Sequence, residues 1–320
     1  MVRENLENCL TSISSEIKPL YSGKVRESFE LNEVSLALVT TDRQSAFDRI
    51  LASVPFKGQV LNMTSAWWFK RTDHIIENHL ISVPDPNVSV VRKCKPFPVE
   101  FVVRGYITGS SNTSLWMNYA QGIRKYCGID FPDGLNKNQK LENVVITPTT
   151  KSDKGDVPIS PEEIVEQGLM SKSHWDFCSA KAIELFTYGQ SEAEKKGFIL
   201  VDTKYEMGLS AKGEVLLIDE VHSPDSSRYW RLPSYESRYK EGKEPENIDK
   251  EFLRLWFKNN CDPYKDEKLP EAPTDLIVEL ALRYIQIFEE ITGSNFEFPD
   301  CQTDLQNRIN ELLITLIKSE

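Results

Sequence analysis

The chain has 320 residues, enough to take roughly three quarters of its potential surface out of water in one large or two coupled domains without disulfide or metal staples. Its 38 basic and 49 acidic side chains leave a net charge of −11, which argues against a nucleic acid partner, since phosphate tracking needs a basic face. With 40% hydrophobic and 27% charged residues, 15 Gly and 17 Pro, neither a mainly disordered nor a collagen-like chain fits.

The first third reads as strand-rich. Segments 24–31 and 34–41 carry apolar and β-branched residues on either side of Asn32-Glu33, predicting a hairpin with Ser22-Gly23-Lys24 at its mouth. After Gly58, residues Val60, Leu61, Thr64, Trp67 and Trp68 recur at helical spacing and predict an amphipathic helix to about residue 70, its tryptophans in the core. The Pro-rich passage 84–98 reads as a hinge between two lobes, and 99–103 as an apolar strand that ends at Arg104. A short helix is expected over 114–121. Ser160-Pro161-Glu162-Glu163 places a hydroxyl, a proline and a glutamate where a helix start uses them, and a further helix over 175–196 stops at Gly197. Segments 198–209 and 214–221 flank Ser210-Ala211-Lys212-Gly213 as a second hairpin. The tail turns helical over 249–259, over 275–292 with Gly293 as its stop, and over 304–318. Leu276, Leu280, Tyr284, Ile287 and Ile291 share one apolar face of the middle helix, which reads as packing.

The six cysteines are dispersed, the closest pair, Cys94 and Cys127, lying 33 positions apart, so no CxxC unit exists for zinc or thiol redox chemistry and a reducing compartment is expected. An acidic N-terminal stretch and the lack of any run of about 18 apolar residues read as a cytoplasmic chain with no membrane partner. The four histidines show no HExxH spacing, and no GxSxG elbow is present.

Chemistry is most densely written in Val201-Asp202-Thr203-Lys204-Tyr205-Glu206-Met207-Gly208. A strand alternates its faces, so Asp202, Lys204 and Glu206 point the same way. With Leu209 opposite Glu214, Lys204 comes to face Asp219, which ends the apolar run 215–218. Three alternating charges alone describe the solvated face of an edge strand. A carboxylate at the end of an apolar run, however, needs a partner or a metal. Two carboxylates can hold Mg²⁺ through oxygen, and a lysine beside them can neutralise phosphate or substrate carboxylate oxygens.

Arg104-Gly105-Tyr106-Ile107-Thr108-Gly109-Ser110 brings a guanidinium, a Gly/Ser loop and a helix start together, a set suited to a phosphate monoester; Arg228 can complete the clamp. Ser22-Gly23-Lys24-Val25-Arg26 lacks the spacing of a P-loop or dinucleotide motif but suits a flexible turn over nucleotide phosphates. The polar loops 41–48 and 147–156 are dense in donors and acceptors, a composition that ordinary solvated turns share.

Taken together, Ser22-Gly23-Lys24-Val25-Arg26, Thr41-Asp42-Arg43, Lys57-Gly58, the 98–104 strand with Thr108-Gly109-Ser110, Asp202-Thr203-Lys204-Tyr205-Glu206, and Asp219-Glu220 with Pro224-Asp225-Ser226-Ser227-Arg228 resemble the phosphoribosylaminoimidazole-succinocarboxamide synthase (SAICAR synthetase) family. Met207 departs from the family's usual phenylalanine on the face away from the charges, which implies a packing change only. The resemblance implies an ATP-dependent ligase that joins L-aspartate to the carboxylate of carboxyaminoimidazole ribonucleotide (CAIR), giving SAICAR, ADP and phosphate in purine biosynthesis. Two other readings fit part of the pattern: a small-molecule kinase, and a catalytically silent nucleotide-binding protein. The absence of HRD and DFG motifs speaks against a protein kinase.

The implied fold is α+β and two-lobed, with an antiparallel sheet-rich N-terminal lobe at 1–97, an α+β substrate- and metal-binding lobe at 98–320 ending in helices, and ATP in the cleft between. The hinge 94–99 would touch adenine. By the same resemblance Gly23, Lys24 and Arg26 cover ATP phosphates, and Lys204 contacts nucleotide or substrate. Glu206 and Asp219 hold Mg²⁺, with Glu206 also near the substrate carboxylate, while Arg104, Ser110 and Arg228 grip the ribonucleotide phosphate. Asp42, Arg43, Ser45, Asp156 and Asp225 fall near the substrates, aspartate among them. The roughly 90 residues after Arg228 leave no room for a second enzyme. Oligomeric state is not legible, because apolar helix faces pack equally well within one chain or between two.

Overall fold

The first predicted hairpin forms with both ends trimmed: strands Arg26–Glu30 and Ser35–Thr40 pair antiparallel, Ser28 opposite Leu38. The structure, a computed structural model, describes residues 1–13, 17–47, 49–151, 156–248, 251–299 and 304–318. Asp48, the 152–155 part of the second polar loop, the 249–250 start of the first tail helix, and Cys301 lie outside the described residues.

The hairpin belongs to a five-stranded antiparallel sheet in the order Tyr21–Ser22, Arg26–Glu30, Ser35–Thr40, Val88–Arg92, Leu80–Asp85. Alternation sends Phe29, Ala37, Val39, Val88 and Val90 to one buried face. Helix Leu305–Lys318 covers that face with Leu305, Ile309 and Leu313, at the i, i+4, i+8 spacing that lines one side of a helix.

A second, eight-stranded sheet is built around the twelve-residue strand Phe198–Leu209. On one side it pairs with Val99–Ile107, Asp202 opposite Arg104 and Lys204 opposite Val102. On the other it pairs with Ser227–Arg231 and Val215–Ile218. Helix Lys172–Lys195, capped by Ser171, lays Cys178, Ala182, Leu185 and Phe186 over this sheet against Phe101, Val103 and Leu200. Burying an aromatic or branched aliphatic side chain of this kind stabilises by about 1.5–3 kcal/mol. The expected capping box is present, Ser160 and Glu163 exchanging side-chain to backbone bonds at the start of Pro161–Glu166.

Three expectations change. The strand expected to end at Arg104 runs on through Ile107, because Tyr106 and Ile107 are apolar and buried, so Arg104 sits inside the sheet and not at its edge. The Pro-rich passage 84–98 is strand for much of its length: Val88–Arg92 is an inner strand of the first sheet, and Lys95–Pro96 pairs with Gly208 and Leu209 in the second. The second hairpin slips by one residue, with Leu209 opposite Val215 and Glu206 opposite Ile218, the last paired position. Asp219 then leaves the strand at φ +65.

Helix Lys57–Thr72 holds the two halves of the chain together. Val60 and Leu61 pack with Leu280, Ala281 and Tyr284 of helix Thr274–Thr292, and Trp68 joins the core of the second sheet. Its start is tight: a Cβ on Gly58 would lie 2.3 Å from the Thr40 carbonyl oxygen.

Candidate active site

Strand alternation puts Asp202, Lys204 and Glu206 on one face of Phe198–Leu209, as the sequence predicts, and the neighbouring strand adds Glu100 and Arg104 to that face. Lys204 Nζ donates to Glu100 Oε1 at 2.7 Å and to Glu206 Oε1 at 2.7 Å, and lies 4.0 Å from Asp219 Oδ2. The register slip does not separate Lys204 from Asp219, because the left-handed turn at Asp219 brings its carboxylate back toward the strand face. Lys151, from the second polar loop, donates to Glu206 Oε2. Arg26, on the first sheet, is paired with Asp219 and lies 3.6 Å from Glu220.

Acidic and cationic groups thus alternate across the cluster, with Glu100 and Glu206 buried, Lys204 and Asp219 half-buried and Lys151 exposed. Burial pushes the Asp219 carboxyl up, but Arg26, Lys204 and Lys151 overcome this and hold it well below the usual carboxylate range. Burial pushes the Lys204 ammonium down, and Glu206, Asp219 and Glu100 reverse this to leave it well above the ordinary lysine value. Burial raises Glu100 and Glu220. His79 beside the site and His222 beneath it are both pushed down to about 3 by burial.

The second constellation also assembles. Arg228 Nη1 donates to Asp202 Oδ2 at 2.7 Å, Arg104 Nη1 lies 3.8 Å from the same oxygen, and Arg104 Nε donates to Thr147 Oγ1 at 2.7 Å. One carboxylate therefore holds two guanidiniums convergent. Arg228 and Ser110 line a recess with Thr108 and Asn138. The helix start expected at 114–121 is Leu115–Ala120, its amide Met117 N capped by Ser114 Oγ at 3.4 Å.

The remaining predicted residues divide. Gly23 N donates to Arg26 O at 2.8 Å, closing the turn that carries Lys24. Arg43 donates to the carbonyls of Gly23, Lys24 and Thr11 and pairs with Glu27 at 2.8 Å, so it fixes the turn from behind. Asp42 accepts the amides of Leu10 and Gly58, both at 2.8 Å, and burial pushes its carboxyl up to about 6. Ser45 is half-buried in strand Arg43–Ala46. Asp156 is exposed, and its charge acts on Glu100. Asp225 faces the interior, one oxygen on Lys57 Nζ and the other on Tyr284 Oη, each at 2.8 Å.

Four contributors carried no role in the sequence reading. Glu100 was recoverable, since it shares a face with Arg104 at even spacing. Lys151 and Lys57 stood in motifs without an assigned partner, and only the tertiary fold brings them to Glu206 and Asp225. Tyr284 belongs to the apolar helix face as expected, yet its hydroxyl reaches Asp225 and Gln44.

The SAICAR synthetase family model matches residues 19–271. A phosphoribosylaminoimidazole-succinocarboxamide synthase of Legionella pneumophila (strain Paris) is 60% identical over 301 residues, 94% of this chain and 96% of that one. A chloroplastic enzyme of the same name from Arabidopsis thaliana is 56% identical over 314 residues, 97% of this chain and 76% of its own length. Among solved structures, the SAICAR synthase of Saccharomyces cerevisiae complexed with SAICAR superposes with a TM-score of 0.78 at 32% identity, covering 90% of this chain and all of the other.

Proposed function

The chain belongs to the SAICAR synthetase family, and on that footing we propose that one face of its central strand carries the ATP-dependent joining of L-aspartate to CAIR, giving SAICAR, ADP and phosphate in purine biosynthesis. The observation that carries this reading is the placement of two centres on one strand face. The Asp202 clamp with Arg104 and Arg228, and the Glu206–Asp219 cluster, lie four residues apart, about 13 Å along the strand, a span that a ribonucleotide can bridge from phosphate to base.

A carboxylate does not accept an amine in water because its oxygen is a poor leaving group. Transfer of the γ-phosphoryl group to a CAIR carboxylate oxygen releases ADP and makes that oxygen part of a phosphate leaving group. The aspartate amine then attacks the carbonyl carbon, the C–N bond forms, the C–O bond to phosphate breaks, and the amine gives up a proton. Positioning and charge neutralisation are the main demands. Arg26, Lys151 and Lys204 answer the second from three different elements, and Arg104, Ser110 and Arg228 the first, by holding the 5′-phosphate. Gly23, Lys24 and Arg26 lie over the ATP phosphates, ATP sits between the two sheets with the lobes parting at 97/98, and the 94–99 stretch meets adenine.

Glu206 and Asp219 suit Mg²⁺. They offer hard carboxylate oxygens around one ammonium, at 2.7 Å and 4.0 Å from Lys204 Nζ, and Mg²⁺ takes oxygen ligands of this kind. When bound, Mg²⁺ supplies charge neutralisation on the nucleotide phosphates. No helix among the described residues is long and apolar enough to cross a membrane. We assign a cytoplasmic setting from the dispersed cysteines, of which the five among the described residues are unbridged.

The test is ADP release from the purified protein with Mg²⁺-ATP, CAIR and L-aspartate, repeated with each omitted and with L-glutamate in place of aspartate. Release that needs all three, with SAICAR appearing in step, supports the ligase. Release with another acceptor supports a small-molecule kinase, and ATP binding without release a silent binding protein.

A further inference from the structure

The strand that presents Lys204 and Glu206 to the site has a second, buried face, and that face is fastened to the segment carrying Asp219. Tyr205 stands between the two charged residues, is fully buried, and points the other way, where its hydroxyl meets Nε2 of the fully buried His222. His222 lies three residues after Asp219. Both sit at positive φ, +65° and +49°, conformations that non-glycine residues rarely adopt and that persist only where the surroundings enforce them. The enforcement is visible. Trp68 packs edge-on to the imidazole at a 4.6 Å centroid separation, Tyr229 Oη donates to the His222 carbonyl at 2.8 Å, and Val221 N donates to Ser65 Oγ at 3.0 Å.

The long helix contributes by what it lacks. A Cβ built on Gly189 would lie 2.3 Å from His222 Cε1, so only glycine leaves the ring its place. The same strand face repeats the device one step away, where Thr203 Oγ1 meets Ser227 Oγ at 2.7 Å, just before Arg228. Nothing in these contacts touches the reacting region.

We propose that Tyr205 and His222, with the space left by Gly189, are positioning residues that pin the Asp219 turn to the back of the strand and so set the spacing between the Glu206 and Asp219 carboxylates. The proposal rests on the reading of those two carboxylates as the Mg²⁺-nucleotide site. The Tyr205 hydroxyl fixes one carboxylate-bearing segment relative to the other. Losing it leaves the ring buried but frees the strained turn to relax.

The test uses the purified full-length chain without CAIR or aspartate, titrating MgCl₂ against binding of a fluorescent ATP analogue. Wild-type protein gives the reference Mg²⁺ midpoint. Tyr205→Phe is expected to raise that midpoint by about tenfold, a difference of ~1.4 kcal/mol, while CAIR affinity measured by calorimetry stays within about twofold. Gly189→Ala, which displaces the imidazole with Tyr205 intact, is expected to move the midpoint in the same direction, and decides the case if Tyr205→Phe does not fold. An unchanged midpoint in the variant overturns the pin. Loss of nucleotide and CAIR affinity in equal measure also overturns it, since it marks general loosening. A wild-type protein that binds the nucleotide with no dependence on Mg²⁺ overturns the metal reading instead, and the pin with it.

Discussion

Arg26 and Asp219 are 193 positions apart in the chain and form an ion pair, the guanidinium from the five-stranded sheet meeting the carboxylate that ends the second hairpin. A cation proposed to cover nucleotide phosphates is thereby tied to a carboxylate proposed to hold the metal. Neutralising that carboxylate removes the proposed ligand charge and leaves the arginine with Glu220 at 3.6 Å and the Thr40 hydroxyl at 3.3 Å. Asp219→Asn, and equally Glu206→Gln, should abolish turnover while circular dichroism and gel filtration stay those of the wild type. An unchanged kcat in both variants would remove the metal-site assignment.

Lys57 is fully buried and its only charged contact in the structure as described is Asp225 at 2.8 Å. Lys57→Met keeps the chain's length and apolar stem but takes the cation from the Asp225 carboxylate, which keeps its Tyr284 hydrogen bond, and breaking a buried pair in this way costs about 3–5 kcal/mol. Urea denaturation should show the midpoint falling with the slope unchanged. A stability loss under about 1 kcal/mol would mean that the pair contributes as little as an exposed one.

Arg228 reaches the clamp recess and Asp202 at once. On the proposed phosphate-binding role, its replacement by Gln removes a charge-assisted contact worth about 1.5–3 kcal/mol and should raise the KM for CAIR by about 10- to 100-fold with the KM for ATP little changed. Steady-state kinetics with each substrate varied separately reads this, and a rise confined to ATP would move the phosphate of CAIR elsewhere.

His222 takes up a proton near 6.5 when exposed but only near 3 in the folded chain, because burial penalises the imidazolium. Between those values the unfolded chain holds the extra proton, so acidification favours unfolding and the stability present above pH 6.5 is progressively lost below it. At pH 5 the loss from this residue is about 2 kcal/mol. Asp42, pushed up to about 6, acts in the opposite sense over part of the same range. Comparing the wild type with His222→Gln therefore isolates the histidine: from pH 7 to pH 5 the wild type should lose about 2 kcal/mol more than the variant. Equal losses would mean that the folded protein already carries the proton.

Much of the site was legible because its chemistry follows alternation along strands. Asp202, Lys204 and Glu206 sit at even spacing, and the turn signals at Ser210-Ala211-Lys212-Gly213 located the return strand to within one residue. That single residue decided the pairing partner of every position, and the structure fixes it through Ser210, whose Oγ accepts the amides of Lys212 and Glu214 at 3.2 Å and keeps Glu214 in the turn. Contacts across the fold were out of reach for a different reason. Lys151, Lys57 and Tyr284 are unremarkable locally, and their roles arise only where separate elements converge on Glu206 and Asp225. Histidine spacing likewise excluded a zinc motif without hinting that His222 would lie under Tyr205.

The start of helix Lys57–Thr72 ties the Asp42 loop, through the Gly58 amide, to the Asp225 loop, through the Lys57 ammonium. The polypeptide can be divided on paper near residue 97, but a scissor cut there would leave Asp225 buried without its cation and helix Thr274–Thr292 without the neighbour that Val60 and Leu61 supply. Neither piece retains a whole interior. The chain should therefore melt as one body, and the pieces expressed separately should regain a fold only when mixed.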